Sequence, residues 1–326
     1  MTQPTFYKDP EPREHERSNR GQSVLIIFAM FALLGLTGFA IWGPLGIVLS
    51  VLVSLFLISA VGRASPKVVL KMYKAKAFGP RDLPQLQELF DRLVDRANLE
   101  HKPQLYYVPS KMLNAFATGR GDQTVVAVTH GLLQQLNNRE IAGVLAHELS
   151  HIKHRDVWVM SLADVFSRLT NSMGQVGQIM LWISLALMLF GGASLFPLPA
   201  IMILVLAPVA STLLQLALSR SREYEADFGA AQITGDPSGL ASALRKVDQS
   251  HRGLLKKVLM PGRKENNPAM LRTHPPTEER IERLMAMEGA DVLPMPVEIP
   301  TRVVNPPPEY VVVRRPRWHI LTGLWH

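Results

Sequence analysis

Two long stretches without a charged side chain constrain this chain more than anything else in it. No Asp, Glu, Lys or Arg occurs between Arg20 and Arg63, and none occurs between Arg168 and Arg220. Each tract is about twice the roughly 20 apolar residues that one helix needs to cross a bilayer. Each is also broken near its middle, by WGPLG at Trp42–Gly46 and by GGASLFPLP at Gly191–Pro199. Gly and Pro punctuate helices, so two helical hairpins are expected, with four spans at about 23–41, 45–62, 175–194 and 199–219. The first tract is too long for a cleaved signal peptide, and VGRASP follows a second span rather than a short apolar region. For the second tract, two adjacent uncharged runs near 20 residues argue against a buried pair of core helices.

The flanks set the orientation. Lys8, Arg13, Arg17 and Arg20 precede the first hairpin, and Arg63, Lys67, Lys71, Lys74 and Lys76 follow it. Lys153, Arg155 and Arg168 precede the second, and Arg220 and Arg222 follow it, while neither hairpin tip carries a charge. The positive-inside rule then places both termini and the polar region in the cytoplasm. The net charge of +8 is explained by anionic lipid headgroups near these flanks. No basic run is interleaved with aromatics, so no nucleic-acid partner is expected. With no Cys in the chain, thiolate metal ligands and a cysteine nucleophile are excluded.

Six segments follow: an N-terminal arm (1–22), the first hairpin (23–62), a first polar part (63–174), the second hairpin (175–219), a second polar part (220–290) and a Pro-rich extension (291–326). The two polar parts must pack together as one α+β unit, because the second hairpin is an insertion between them. RDLPQLQELFDRLVDRANL (81–99) has apolar positions at helical spacing. PQLYYVPS (103–110) and QTVVAVTHGLL (123–133) read as strands, joined through turn chemistry at GRGD (119–122). NNREIAGVLAHELSHI (137–152) opens with an Asn able to cap and has Glu140 in its first turn, so it reads as a helix. Residues 221–250 read as helices broken at TGDPSG. The extension carries Pro294, Pro296, Pro300, Pro306, Pro307, Pro308 and Pro316, which favours an extended or disordered segment. Its end, RRPRWHILTGLWH, has the basic and Trp composition of a membrane interface.

Within the 137–152 helix lies HELSH. Residues four apart share a helix face, so His147 and His151 can point two imidazoles at one ion. Glu148 then stands beside the first ligand, placed to take a proton from water. A catalytic zinc needs a third protein ligand and an open position. A metzincin would have His where Val157 stands, so that subclass is excluded. A Glu on a second helix is the remaining common solution, and SRSREYEADFGAA (219–231) supplies Glu223. Asp227, one turn later, would accept a hydrogen bond from a ligand imidazole. A solvated acidic face pairing with Arg220 and Arg222 is the alternative that spacing leaves open.

The ordered set NAFATG, VLAHELSHI, SRSREYEAD and THPPTEERI resembles the HtpX-type membrane metallopeptidases, relatives of the CAAX prenyl proteases. One hydrophobic hairpin precedes the first motif and another lies between the second and third, and the likeness covers roughly residues 20–290. It implies a gluzincin-type zinc endopeptidase of the bacterial inner membrane, with one Zn²⁺ per chain and its active site facing the cytoplasm. It implies peptide substrates, membrane or misfolded proteins above all, in quality control under stress. By motif, His147, His151 and Glu223 are the implied zinc ligands, Glu148 the general base and Asp227 the partner of a ligand histidine. His274 in THPP and Arg280 six residues later are implied to stabilise the tetrahedral intermediate, a task suited to an imidazole donor and a guanidinium. Asn114 is implied to hold substrate backbone, and TVVAVTHGLL to be the edge strand that a peptide extends.

Other polar residues are read plainly. His154 is expected in solvent, since a fourth protein ligand would close the site to water. His130 is expected to face solvent, and Asp156 has no assigned chemical role. Three rival functions are weighed. An intramembrane protease is excluded because the apolar run Ile141–Ala146 is too short to span. A non-catalytic scaffold would lack a ligand or the base, and none is missing. A CAAX-type processing enzyme would have more spans than four.

Overall fold

The computed structural model describes residues 12–61, 66–79, 82–259, 277–288, 318–319 and 324–325. The THPP motif with His274, residues 1–11 of the N-terminal arm, and the Pro-rich extension except Trp318, His319, Leu324 and Trp325 lie outside the described residues.

The chain divides into two compact units, Met1–Ile58 with Leu162–Glu225 and Ser59–Ser161 with Ala226–His326. The first contains α1 (Pro12–Trp42), α2 (Pro44–Val61), most of α7 (Asp156–Leu189) and most of α8 (Leu198–Thr234). Three helical segments are long and apolar enough to cross a membrane: Gly21–Trp42, Asp156–Leu189 and Leu198–Thr234. A fourth, Pro44–Phe56, is apolar but shorter. The helices exceed the expected spans, because nothing breaks the pattern ahead of the charge-free runs. α7 begins at Asp156, and its 34 residues rise about 51 Å, against about 30 Å of hydrocarbon. It ends at Leu189, short of the expected 194, because Gly191 adopts φ +80°. The Gly192 N–H then bonds the Leu187 carbonyl at 2.8 Å and the Gly191 N–H bonds that of Met188 at 3.2 Å. That pattern closes a helix C-terminus. The tight α1–α2 turn permits a backbone-to-backbone crossing, in which a Cβ on Gly46 would overlap the Gly38 carbonyl. Small residues serve this purpose between helices in lipid.

The second unit is built on a four-stranded sheet. Its strands are β1 (Lys76–Ala77), β2 (Gln104–Val108), β3 (Ala115–Thr118) and β4 (Val125–Thr129), in the order β1-β2-β4-β3. β2 runs parallel to β4, and β3 pairs antiparallel with it, Ala115 opposite Val128 and Thr118 opposite Val125. All five β4 residues are buried. β4 lies between β2 and β3 and is therefore interior, which corrects the expectation that it forms a substrate-accepting edge; the edge strands of this sheet are β1 and β3. The expected strand also stops four residues early. Thr129 accepts a bond from the Leu132 N–H at 3.3 Å, and this cap starts α5 (His130–Gln135).

α3 (Pro66–Met72) leads into β1, and α4 (Pro84–Ala97) buries Leu86, Leu89, Phe90, Leu93 and Val94 in the core. These meet α6 (Asn138–Lys153), whose Leu145, Ala146 and Leu149 are fully buried. α6 starts on a full capping box: Asn137 accepts from the Glu140 N–H at 2.9 Å, and Glu140 accepts from the Asn137 N–H at 2.8 Å. The buried Glu140 carboxylate also takes bonds from Ser242 and Lys246, each at 2.7 Å, on α9 (Pro237–Leu259). Those bonds outweigh burial and hold its pKa below the ordinary Glu range. α10 (Thr277–Ala286) closes the unit with Ile281 and Leu284. At the far end of the chain, β5 (Trp318–His319) and β6 (Leu324–Trp325) pair with Trp318 opposite Trp325.

His130 does not face solvent. It is 1% exposed, and its Nδ1 lies 2.9 Å from the hydroxyl of the fully buried Tyr107. Burial, with help from the Lys111 charge, pushes the imidazole pKa down. The folded state thus keeps His130 neutral where the unfolded chain, with a pKa of about 6.5, takes up a proton. Stability from this site is present above that pH and lost as pH falls through it. Unfolding free energy measured between pH 7.5 and 5 should fall less steeply in His130→Gln than in the wild type; equal slopes would remove this account of His130.

Candidate metal centre

α6 presents His147 and His151 on one face, with their Nε2 atoms 3.1 Å apart. The outer nitrogen of each ring meets a buried carboxylate. His151 Nδ1 lies 3.0 Å from Asp156 Oδ2. His147 Nδ1 lies 3.0 Å from Asp227 Oδ1, in an oblique rather than in-line approach. A carboxylate at Nδ1 assigns the proton of a neutral ring to that nitrogen. With the protons so placed, the two Nε2 atoms 3.1 Å apart would both be free to ligate one cation. Glu223 stands one helical turn before Asp227 on the same unbroken α8. One of its carboxylate oxygens and one nitrogen of each imidazole all lie within 4.8 Å of one another. Two imidazoles and a carboxylate are the donor set of a three-ligand zinc site, so these residues fit the ion that the motif implies.

Glu223, Glu225 and Asp227 are all buried, and Arg222 is paired with Glu225 at 3.1 Å. The acidic face of α8 is therefore not a solvated one. Asp227 meets the carboxylate position expected of it, and more. The Arg280 guanidinium on α10 donates from Nε to Oδ2 and from Nη2 to Oδ1, both at 2.7 Å. Arg280, expected at the developing oxyanion, thus has two of its donors committed to Asp227, a bidentate pairing that fixes the carboxylate plane. His274, its expected companion, lies outside the described residues.

Asp156 is the site residue that sequence reasoning missed. α6 ends at Lys153, and Arg155 adopts φ +60°. That left-handed residue reverses the chain, so Asp156, 1% exposed, returns to His151 at the start of α7. The only trace in the sequence is an acid five places after the second histidine. Glu148 is half-buried on α6. His154 is half-buried as well, not solvated, and its Nδ1 lies 3.3 Å from Ser150 Oγ. It is not part of the donor cluster. Asn114 is exposed at the entry to β3, with its backbone held to Thr129: its N–H donates to Thr129 Oγ1 at 3.0 Å and its carbonyl accepts from the Thr129 N–H at 3.1 Å.

The model of peptidase family M48 matches residues 80–288. The protease HtpX homolog of Pyrococcus abyssi is 39% identical over 272 residues, covering 80% of this chain and 93% of that protein. The protease HtpX homolog of Salinibacter ruber is 38% identical over 283 residues, covering 83% of this chain and 99% of that protein. A crystal structure of S. mikatae Ste24p aligns at TM-score 0.44 and 18% identity, over 83% of this chain and 66% of that one.

The Arg280–Asp227 pair is almost wholly buried, with side chains 8% and 5% exposed. Removing one partner leaves a charge in low dielectric, at a cost of about 3–5 kcal/mol. Arg280→Ala should therefore lower the unfolding free energy of the detergent-solubilised protein by about that amount. Arg280→Lys, which lacks the planar fork, should recover only part of it. Loss below about 0.5 kcal/mol, the scatter of ordinary surface changes, would mean the pair does not hold Asp227.

Proposed function

The chain belongs to peptidase family M48 and is a membrane metalloprotease, and on that footing we propose that His147, His151 and Glu223 hold one zinc ion per chain with Glu148 as general base. The observation that supports this most is that the two Nε2 atoms lie 3.1 Å apart with a carboxylate oxygen of Glu223 close by.

When bound, zinc supplies Lewis acidity that polarises the scissile carbonyl and lowers the pKa of water. The chain's own residues do the rest. Glu148, next to His147 on α6, takes the proton of the attacking water and delivers it to the leaving amine. Asp156 and Asp227 keep the protons of His151 and His147 on Nδ1 and fix the ring planes. Arg280 acts through Asp227, and His274 donates to the carbonyl oxygen as charge grows on it. An extended substrate adds to the outer edge of β3, with the exposed Asn114 at the entry to that strand.

The same proposal extends to the wider architecture. α2 serves as a fourth span beside the three long apolar helices. The catalytic part comprises residues 63–174 and 220–290, on the cytoplasmic face of the inner membrane. Substrates are membrane or misfolded proteins handled under stress. The relatives named protease HtpX homolog support this direction, as do the basic flanks of the apolar tracts.

Glu148→Gln tests the mechanism without disturbing the donor set. Purified wild type and variant should each carry one zinc per chain, and casein cleavage by the variant should fall by about 10²–10⁴-fold. Equal cleavage would take Glu148 out of the reaction, and zinc in neither protein would dissolve the whole centre.

A further inference from the structure

Gly229 lies two residues beyond Asp227, on the part of α8 that belongs to the same unit as α6. It is buried, and a Cβ built on it would overlap Ser150 Oγ and stand 3.0 Å from Ser150 Cβ. Ser150 has no exposed surface and sits between the two histidines of α6, three residues after His147 and one before His151. Ala226 and Ala230, on the same side of α8, are likewise fully buried. The two helices therefore approach more closely at this point than a side chain at position 229 allows.

We propose that Gly229 is a positioning residue for the metal centre: its missing side chain sets how closely α8 approaches Ser150, and through that the reach of Asp227 and Glu223 toward the histidines. This rests on the reading of His147, His151 and Glu223 as ligands. The Ser150 hydroxyl can swing aside to admit a methyl group, giving up its bond to His154. Its Cβ cannot, because the α6 backbone fixes it. Two carbons settle at about 3.5–4.0 Å, so Gly229→Ala drives α8 back by a few tenths of an ångström. Ligand distances in a metal site hold to within about 0.2 Å. The His147 Nδ1–Asp227 Oδ1 contact, at 3.0 Å, weakens as it lengthens. Intrinsic propensity runs the other way, because Ala is the better helix former. A loss of function in the alanine variant therefore reports the close approach and not the helix.

The test is a double-mutant cycle on full-length protein in detergent, reading zinc affinity by chelator competition. Gly229→Ala should lose about 10–100-fold in zinc affinity, the range seen when groups behind metal ligands are disturbed. In a Ser150→Gly background, which clears both the hydroxyl and the Cβ, the same change should cost less than about twofold if the contact alone is responsible. Wild-type affinity in Gly229→Ala, or an equal loss in both backgrounds, overturns the proposal. If Gly229→Ala does not fold alone, the double variant decides: folded with tight zinc upholds the proposal, and unfolded overturns it. Wild type that binds no zinc overturns the metal reading itself, a result distinct from zinc held equally by wild type and Gly229→Ala.

Discussion

A buried carboxylate at the outer nitrogen of each imidazole is the interaction on which the rest of the centre depends. On the proposed reading it keeps the ring protons on Nδ1 and leaves the two Nε2 atoms, 3.1 Å apart, to hold one cation. Charge counting leads to the same place. Asp156, Asp227 and Glu223 are buried acids, and Arg280 is the buried base among their partners; Arg222 and Glu225 cancel each other. Buried charges are tolerated when paired or ligated and are costly otherwise, which is consistent with the proposed metal site.

Holding that site requires α6 to be placed accurately, and ordinary folding forces do this. The capping box at Asn137–Glu140 fixes where the helix begins. The same Glu140 then reaches Ser242 and Lys246 on α9, so a local cap and a tertiary clamp share one carboxylate. Leu145, Ala146 and Leu149 fill the core on one side while His147 and His151 look out on another. The sheet contributes through Thr129, whose hydroxyl ends β4, caps α5 and ties the Asn114 backbone at the start of the edge strand. One side chain thereby links the core strand β4 to the edge strand β3.

What the sequence discloses of this is what depends on short-range periodicity. HELSH is legible because a four-residue interval on a helix dictates a shared face, and α4, β2 and the Asn137 cap follow from equally local rules. Features set by partners distant in the chain are not. β4 reads as a strand from its Val and Thr content and as an edge only from the family resemblance, but strand order is a property of the assembled sheet. His130 reads as exposed because nothing nearby in the chain announces Tyr107. Arg280 shows its charge in the sequence but not its partner Asp227 on another helix. Asp156 is hidden by the left-handed turn at Arg155, a conformation that no Gly or Asn signals there. Hydropathy marks the apolar tracts well, yet it underestimates α7 and α8, because a helix continues past the last apolar residue whenever no breaker stops it.

That continuation ties the chemistry to the bilayer. The second charge-free tract ends at Arg220, and Glu223 follows on the same helix after three residues, a rise of about 4.5 Å. A charged side chain is costly in hydrocarbon and settles at its boundary, so on the proposed reading the headgroup region begins near Arg220. A ligand one turn beyond holds the metal at that depth, not in bulk water. A peptide bond must then come to the membrane surface to be cut, in extended form if it is to pair with β3. Segments of membrane proteins that have lost their fold meet both conditions at once, because they are tethered at the right height and free to extend. A folded soluble domain meets neither, since its strands are already paired and its backbone is held above the surface by its own bulk. On the proposed reading, the length of one helix past its apolar run thus contributes to the selectivity for such substrates.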